Sequence, residues 1–342
     1  MKKYLLFSDG KSPHTIKWLK ELIKYFDIYL VSLNGVDETV YKIVDPKKVY
    51  ILNKKIKRVD GGNYEMIFKL FALKKLLDKL KPDIVNAHYL SSYGLLASLA
   101  KSNRSFKLVH STWGSDVLET PFLSKVRFYL AKYSFSKADL VTSDSYYMSD
   151  RIKEIYKKAP VETFSFGLDC LSDKKDIKKD DYLIFSNRAL THNYNIQKIL
   201  GWFKTLDKRY KLIIANDGYL KKDIEAFIKK NDLLDRVKLV GFLSADEQIK
   251  IYKKARYYIS IPTFDSSSVS LLEAMYFECF PIVSNIPANR EWILDGINGI
   301  FFKKGSKLAF YSGYEAINEK IIQQNGYFPD NIKRYIKTLE SI

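Results

Sequence analysis

The chain has 342 residues, 46% hydrophobic and 28% charged, with a formal net charge of +18. That length suits two ordinary domains, and the apolar share excludes a disordered chain. Its two cysteines, Cys170 and Cys279, lie far apart, which excludes a disulfide scaffold or a Cys-rich zinc site and fits a reducing cytosol. No apolar run approaches the ~18 residues needed to cross a bilayer. The opening MKKYLLFSDGK has too short an apolar core for a secretory signal.

Short apolar strands alternate with amphipathic helices along the chain. Strands are predicted at 4–8, 28–33, 84–87, 107–111, 140–143 and 161–165, with helices at 15–25, 64–80, 92–101 and 124–137. Residues 167–181, GLDCLSDKKDIKKDD, are polar and read as a linker. The alternation then restarts, with strands at 183–186, 211–215, 237–240, 258–261, 280–283 and 299–302 and helices at 196–206, 219–231, 245–255 and 269–278. A last helix is predicted at 328–341. This pattern means two α/β domains with parallel sheets: 1–166, then the linker, then 182–326, with 327–342 as a C-terminal helix. Open sheets of this kind bind ligands at the carboxyl ends of their strands.

Residues 1–165 hold 29 Lys and Arg against 17 Asp and Glu, a net of +12. An excess of this size implies an anionic partner: lipid headgroups, a phosphate-linked substrate or nucleic acid. The segment 64–81, YEMIFKLFALKKLLDKLK, has five lysines and an aromatic-rich apolar side. It suits an ordinary crossover helix with its lysines in water, and it also suits an anionic membrane surface.

The most informative stretch is 262–302, PTFDSSSVSLLEAMYFECFPIVSNIPANREWILDGINGIFF. Asp265 and three serines lead into an apolar helix start that carries one acid, Glu273. A carboxylate there is costly without a partner. The backbone N–H groups of Ser267, Ser268, Val269 and Ser270 at the helix start are a ready anion site. An anion site beside a carboxylate suits a ligand with phosphate at one end and hydroxyls at the other, such as a nucleotide sugar. The plainer alternative is a carboxylate that caps the helix, with Glu273 merely exposed.

The phrases LLEAM, FPIVSN, IPANREW and DGINGIFF, in order, resemble the donor-binding signature of glycosyltransferase family 4. The resemblance implies a GT-B fold, two Rossmann-like domains facing a cleft, with the C-terminal helix packing back on the first domain. It implies retaining transfer of a sugar from a nucleotide diphosphate, with a UDP- or GDP-sugar as donor, no cofactor and no metal. By the same resemblance, Glu273 binds the ribose hydroxyls and Asp265 contacts the donor sugar near the reacting carbon, although the family usually has Glu at that first position. Arg188, in LIFSNRALTHNYN, matches the family's diphosphate-binding base. The Lys expected five residues later is Asn193, so His192 or a cation of the first domain is left to supply that charge. The usual Gly after LLEAM is Glu278, which suggests a different helix end.

In the first domain, KPDIVNAHYLSSYGLLASLA and VHSTWGSDVLETP resemble the acceptor side of the family. His88 falls at a strand's carboxyl end. Trp113 stands where the family often has His, and Asp116 follows. The resemblance makes His88 and Asp116 candidate catalytic groups and Trp113 and His14 candidate acceptor contacts, against the plainer reading of a structural His and a core Trp. The acceptor implied is a glycan or lipid-linked intermediate, in the assembly of a surface polysaccharide, lipopolysaccharide or glycoprotein glycan. The place implied is the cytoplasm, peripheral on the inner membrane face. The chain has no Asp-x-Asp triplet, the mark of metal-dependent sugar transferases of the other main fold. Rival readings are a nucleotide-sugar epimerase of the same fold and a non-catalytic sugar- or nucleic-acid-binding protein. Nucleic acid ranks last, because the basic residues are spread over helix faces without interleaved aromatics.

Overall fold

Strands buried on both faces need helices on both sides, and each half of the chain builds such a sandwich. The computed structural model describes residues 1–52, 68–102, 104–169, 173–309 and 311–342. One unit comprises Met1–Ser165 with Pro329–Ile342, and the other comprises Phe166–Phe328.

The first unit runs β1 (Lys3–Phe7), α1 (Pro13–Leu22), β2 (Asp27–Ser32), β3 (Val49–Ile51), α2 (Leu70–Leu80), β4 (Ile84–His88), α3 (Leu95–Lys101), β5 (Lys107–Ser111), α4 (Ser115–Leu118), α5 (Lys125–Lys137), β6 (Leu140–Ser143), α6 (Tyr146–Ile155) and β7 (Val161–Thr163). Its sheet is parallel, in the order β3-β2-β1-β4-β5-β6-β7. Leu5, Phe7, Val85, Ala87 and Leu108 form one core with Leu73, Leu77 and Leu80 of α2. The described part of the 64–81 segment is a crossover helix with Leu73, Leu77 and Leu80 inward and Phe68 and Phe71 exposed; residues 64–67 lie outside the described residues. The edge strand β3 and the helices α4 and α6 go beyond the predicted elements.

The second unit runs β8 (Asp180–Ser186), α7 (Ile196–Phe203), β9 (Lys211–Ala215), α8 (Lys221–Lys230), β10 (Val237–Gly241), α9 (Ala245–Lys254), β11 (Ala255–Ser260), α10 (Val269–Tyr276), β12 (Phe280–Val283), α11 (Pro287–Arg290), β13 (Ile300–Phe301) and α12 (Tyr314–Asn325). Its parallel sheet has the order β10-β9-β8-β11-β12-β13. The two-residue period of a strand splits the core. Ile184, Tyr257 and Ile259 point to one layer, while Leu183, Phe185 and Tyr258 point to the other, where Leu271, Leu272 and Met275 of α10 cover them.

The segment expected as a linker is part of the second unit where it is described. Leu168 pairs with Tyr327, its amide donating to the Gly326 carbonyl at 2.6 Å. Gly167 has φ +50°, and a Cβ there would lie 2.5 Å from the Gly326 oxygen, so only glycine fits. The final helix α13 (Phe328–Ser341) belongs to the first unit from Pro329 onward. It buries Tyr335, whose hydroxyl meets that of Tyr4 at 2.7 Å.

The end of α10 corrects an expectation. Glu278 was expected to change the helix terminus, yet it adopts the left-handed conformation of the usual glycine, φ +62°. The Glu278 amide donates to Met275 O at 3.2 Å and the Cys279 amide to Ala274 O at 2.8 Å, a complete Schellman pair. Cys279 is a buried free thiol. Lys179 Nζ lies 3.5 Å from it and donates to the carbonyls of Tyr252, Ala255 and Phe277 that end α9, begin β11 and end α10. Burial lowers the Lys179 pKa.

Candidate functional site

In the second sheet the winding direction reverses between β8 and β11, and ligands of open α/β sheets bind at such a point. Arg188 follows β8, and Asp265 to Ser268 follow β11, so the topology brings two chain-distant loops together. Arg188 Nη2 pairs with Asp265 Oδ2 at 2.6 Å and Nη1 donates to Ser268 Oγ at 2.8 Å. The guanidinium carbon lies 4.2 Å from the centre of the Tyr194 ring. Burial alone would lower the Arg188 pKa; Asp265 and the surrounding tyrosines outweigh it and raise it. Arg188 is therefore a fixed cation, and its buried Nε has no hydrogen-bond partner among the described residues.

Ser268 caps α10, its hydroxyl accepting from the Leu271 amide at 3.4 Å as well as from Arg188. The first-turn amides of Val269 and Ser270 have no intrahelical acceptor by the geometry of a helix start. Ser267 is buried just before the cap. Cation and helix terminus thus sit together on the Ser268 hydroxyl.

Glu273 lies one turn into α10 and is half-buried. The Tyr252 hydroxyl reaches Glu273 Oε2 at 3.1 Å and the Ser270 carbonyl at 3.2 Å. Asn187, next to Arg188, donates to the Tyr252 hydroxyl at 2.9 Å and to Gln248 Oε1 at 2.7 Å, and accepts from Tyr258 at 3.1 Å. Burial, and then Glu273, push the Tyr252 pKa well above its usual value, so it remains a neutral donor. Sequence reasoning missed Asn187, Tyr252, Tyr258 and Gln248. The one signal available was the placement of Asn187 beside Arg188 at a strand's carboxyl end.

Asn193, expected among the donor contacts, has another use here. Its Nδ2 donates to the Phe264 carbonyl at 3.0 Å and its Oδ1 accepts from the Phe264 amide at 3.2 Å. It clamps the loop one residue before Asp265 and brings no charge. Among the described residues no three His, Cys, Asp or Glu side chains gather as a metal site would require.

In the first unit the reversal lies between β1 and β4. His14 begins α1 after β1, and His88 ends β4. Their rings meet on Trp113: His14 at 4.9 Å and His88 at 5.2 Å between ring centres, with Trp18 packed on His88 at 5.0 Å. The structure thus brings His14, His88 and Trp113 together. His88 is buried, and burial, with a smaller push from His14, lowers its pKa to about 3. It is neutral at ordinary pH. Its Nδ1 has no partner among the described residues, while Nε2 lies 3.3 Å from Asn86 Nδ2.

Asp116, a candidate catalytic group by the family resemblance, is held by backbone amides. It has no exposed surface. Its Oδ2 accepts from the Leu90 amide at 2.7 Å and its Oδ1 from the Trp113 amide at 2.9 Å. Burial raises its pKa against the pull of these amides. Asp116 ties the turn after β4 to the turn after β5, and so it places Trp113.

The family pattern described as Glycosyl transferase 4-like matches residues 3–145, and that described as Glycosyl transferases group 1 matches residues 170–323. An uncharacterized glycosyltransferase of Methanocaldococcus jannaschii is 23% identical over 304 residues, 89% of this chain and 83% of that protein. A Campylobacter jejuni enzyme named GalNAc-alpha-(1->4)-GalNAc-alpha-(1->3)-diNAcBac-PP-undecaprenol alpha-1,4-N-acetyl-D-galactosaminyltransferase is 24% identical over 325 residues, 91% of this chain and 86% of that one. The crystal structure of Anabaena HepE in complex with UDP superposes with a TM-score of 0.78 at 14% identity, covering 100% of both chains. Two parallel α/β units, one family pattern on each and a shared fold over the whole chain lead to one assignment: the chain belongs to the family 4 type of glycosyltransferases, with the GT-B fold.

Proposed function

We propose that this glycosyltransferase takes its sugar from a nucleoside diphosphate sugar, UDP-linked, and moves it with retention to a hydroxyl of a lipid-linked glycan, without a metal. The observation that carries the donor side is the Arg188–Ser268 contact, which joins a fixed cation to a helix N-terminus. A diphosphate is the ligand such a pair suits. Glu273, held by Tyr252, accepts from the ribose hydroxyls, and Asp265 orients the sugar. When the bond between the anomeric carbon and the diphosphate breaks and the acceptor oxygen bonds that carbon, negative charge grows on the departing phosphate. Arg188 and the amides of Val269 and Ser270 stabilise it there. Neutral His88, buried beneath Trp113, positions that ring, and half-buried Trp113 offers a face for a sugar ring.

The UDP in HepE and the undecaprenol-linked substrate named for the Campylobacter enzyme support the donor and acceptor classes. Retention rests on the family resemblance. No helix among the described residues is long and apolar enough to cross a membrane, so a lipid-linked acceptor would be met at a surface.

The test incubates the protein with UDP-sugars and an undecaprenyl-diphosphate saccharide in EDTA and reads the product's anomeric configuration by NMR. A product with the donor's configuration supports the reading. Donor consumed without an acceptor product, with a new free nucleotide sugar appearing, would establish the epimerase instead.

A further inference from the structure

Three chain ends of the second unit meet on one ammonium. Lys175 and Lys178, in the segment before β8, are exposed, which is the ordinary place of a lysine, but Lys179 turns inward. Its Nζ donates to the carbonyls of Tyr252 at 2.8 Å, Ala255 at 2.9 Å and Phe277 at 2.5 Å, which uses all three N–H bonds of the group. The Tyr252 carbonyl lies in the last turn of α9, and the Phe277 carbonyl belongs to the C-cap residue of α10. Helix ends of this kind carry partial negative charge and open acceptors, so a cation is favourable there. The Cys279 thiol gives the Tyr252 carbonyl a second donor at 3.3 Å. Glu278 and Cys279 favour the charge on Lys179, and Arg256 opposes it.

Those carbonyls belong to the residues that hold Glu273. The Tyr252 hydroxyl meets Glu273 Oε2 at 3.1 Å, while the Tyr252 carbonyl is on Lys179. The Phe277 amide donates to the Glu273 carbonyl at 2.9 Å, while the Phe277 carbonyl is on Lys179 as well. The Tyr252 and Phe277 rings stack, with centres 6.0 Å apart and planes 14° from parallel. One ammonium therefore fixes both sides of the Tyr252–Glu273 hydrogen bond. A slip of α10 against α9 by about 1 Å would break that bond. Lys179 precedes the amino end of β8, whereas Arg188 lies past its carboxyl end, about 20 Å of strand away. The ammonium is therefore out of reach of a ligand held by Arg188.

We infer that Lys179 is the positioning residue for Glu273: it ties the end of α9 to the end of α10 and so sets the carboxylate on the ribose hydroxyls. The inference rests on the proposed function in taking ribose as the partner of Glu273. Recognition of a ribonucleotide over its 2′-deoxy form then depends on a lysine that never touches it.

Titration calorimetry of UDP and 2′-deoxy-UDP tests it on wild type, Glu273→Ala and Lys179→Met. Wild type should prefer UDP by at least ~5-fold, and Glu273→Ala should bind the two alike. Lys179→Met keeps the length of the side chain and removes its donors, and its preference should fall to within ~2-fold. A lysine that served stability alone would lower the number of sites titrated and leave the ratio of the two affinities unchanged. Lys179→Gln, with an N–H donor on a shorter arm, carries the same prediction if the methionine variant does not fold. Preference lost in Glu273→Ala but kept in a folded Lys179 variant overturns the inference and leaves the proposed function standing. No preference in wild type, or preference kept in Glu273→Ala, defeats the ribose role of Glu273 and overturns the inference with it.

Discussion

Arg188 and Asp265 form a 2.6 Å ion pair across the point where the second sheet reverses direction. The proposed phosphate-binding cation is therefore half-neutralised before any donor arrives, and the carboxylate meant for the sugar is held on the cation meant for the diphosphate. Asp265→Asn should release that charge. UDP should then bind several-fold tighter, by about 3–10-fold in titration calorimetry, while sugar transfer falls. Weaker UDP binding would mean that Asp265 holds Arg188 in the only useful pose.

Asp116 is a brace on two backbone amides. Asp116→Asn places an N–H₂ against an N–H donor and should destabilise the first unit by about 2 kcal/mol, read by urea denaturation. UDP affinity should be unchanged, because UDP is assigned to the other unit. A variant of full stability with activity abolished would restore a catalytic role.

Two buried histidines set an acid limit. Burial lowers His88 to about 3 and His110 to about 4, both below the usual 6.5. The unfolded chain takes up these protons first as pH falls through 6.5, so the stability of the neutral forms is complete above that value and is lost progressively toward pH 4. At pH 5 each histidine should cost about 2 kcal/mol relative to pH 7.5. Urea midpoints of the first unit at the two pH values measure this, and His110→Gln should remove about half of the difference by the same linkage. A flat pH profile would contradict the burial of these imidazoles.

Glu278 keeps a glycine's conformation at φ +62°. Glu278→Gly relieves that strain and loses the 3.9 Å contact with Lys174 and the Coulombic support of the carboxylate to partly buried Lys179. The second unit should gain about 0.5–1 kcal/mol, seen as a higher melting temperature. A loss would show that the side chain contributes more than the backbone strain costs.

The strands that build both sheets were legible because parallel strands buried on both faces leave continuous apolar runs such as YLLF and FPIV. β3 was not, since Val49–Ile51 is a three-residue edge strand that is not buried. α6 carried a helical signal in Met148, Ile152 and Ile155 that its polar surroundings obscured. The acids and Arg188 were legible through their place in a long ordered signature. What holds them was not: Asn187 and Tyr252 are 65 positions apart, and their bond exists only once β8 lies against α9 and β11. The backbone bonds of Asp116 were not legible, because an acid two residues after Gly114 looks the same in sequence whether it faces a ligand or backbone amides.

The central claim is that the nucleotide diphosphate binds between Arg188 and Glu273 at the start of α10. Titration calorimetry of UDP in EDTA, on wild type, Arg188→Ala and Glu273→Ala, tests it most directly. The account predicts saturable binding to wild type, weakened by at least ~10-fold in each variant while both stay folded. Equal affinity in all three proteins, or no binding to folded wild type, would contradict it.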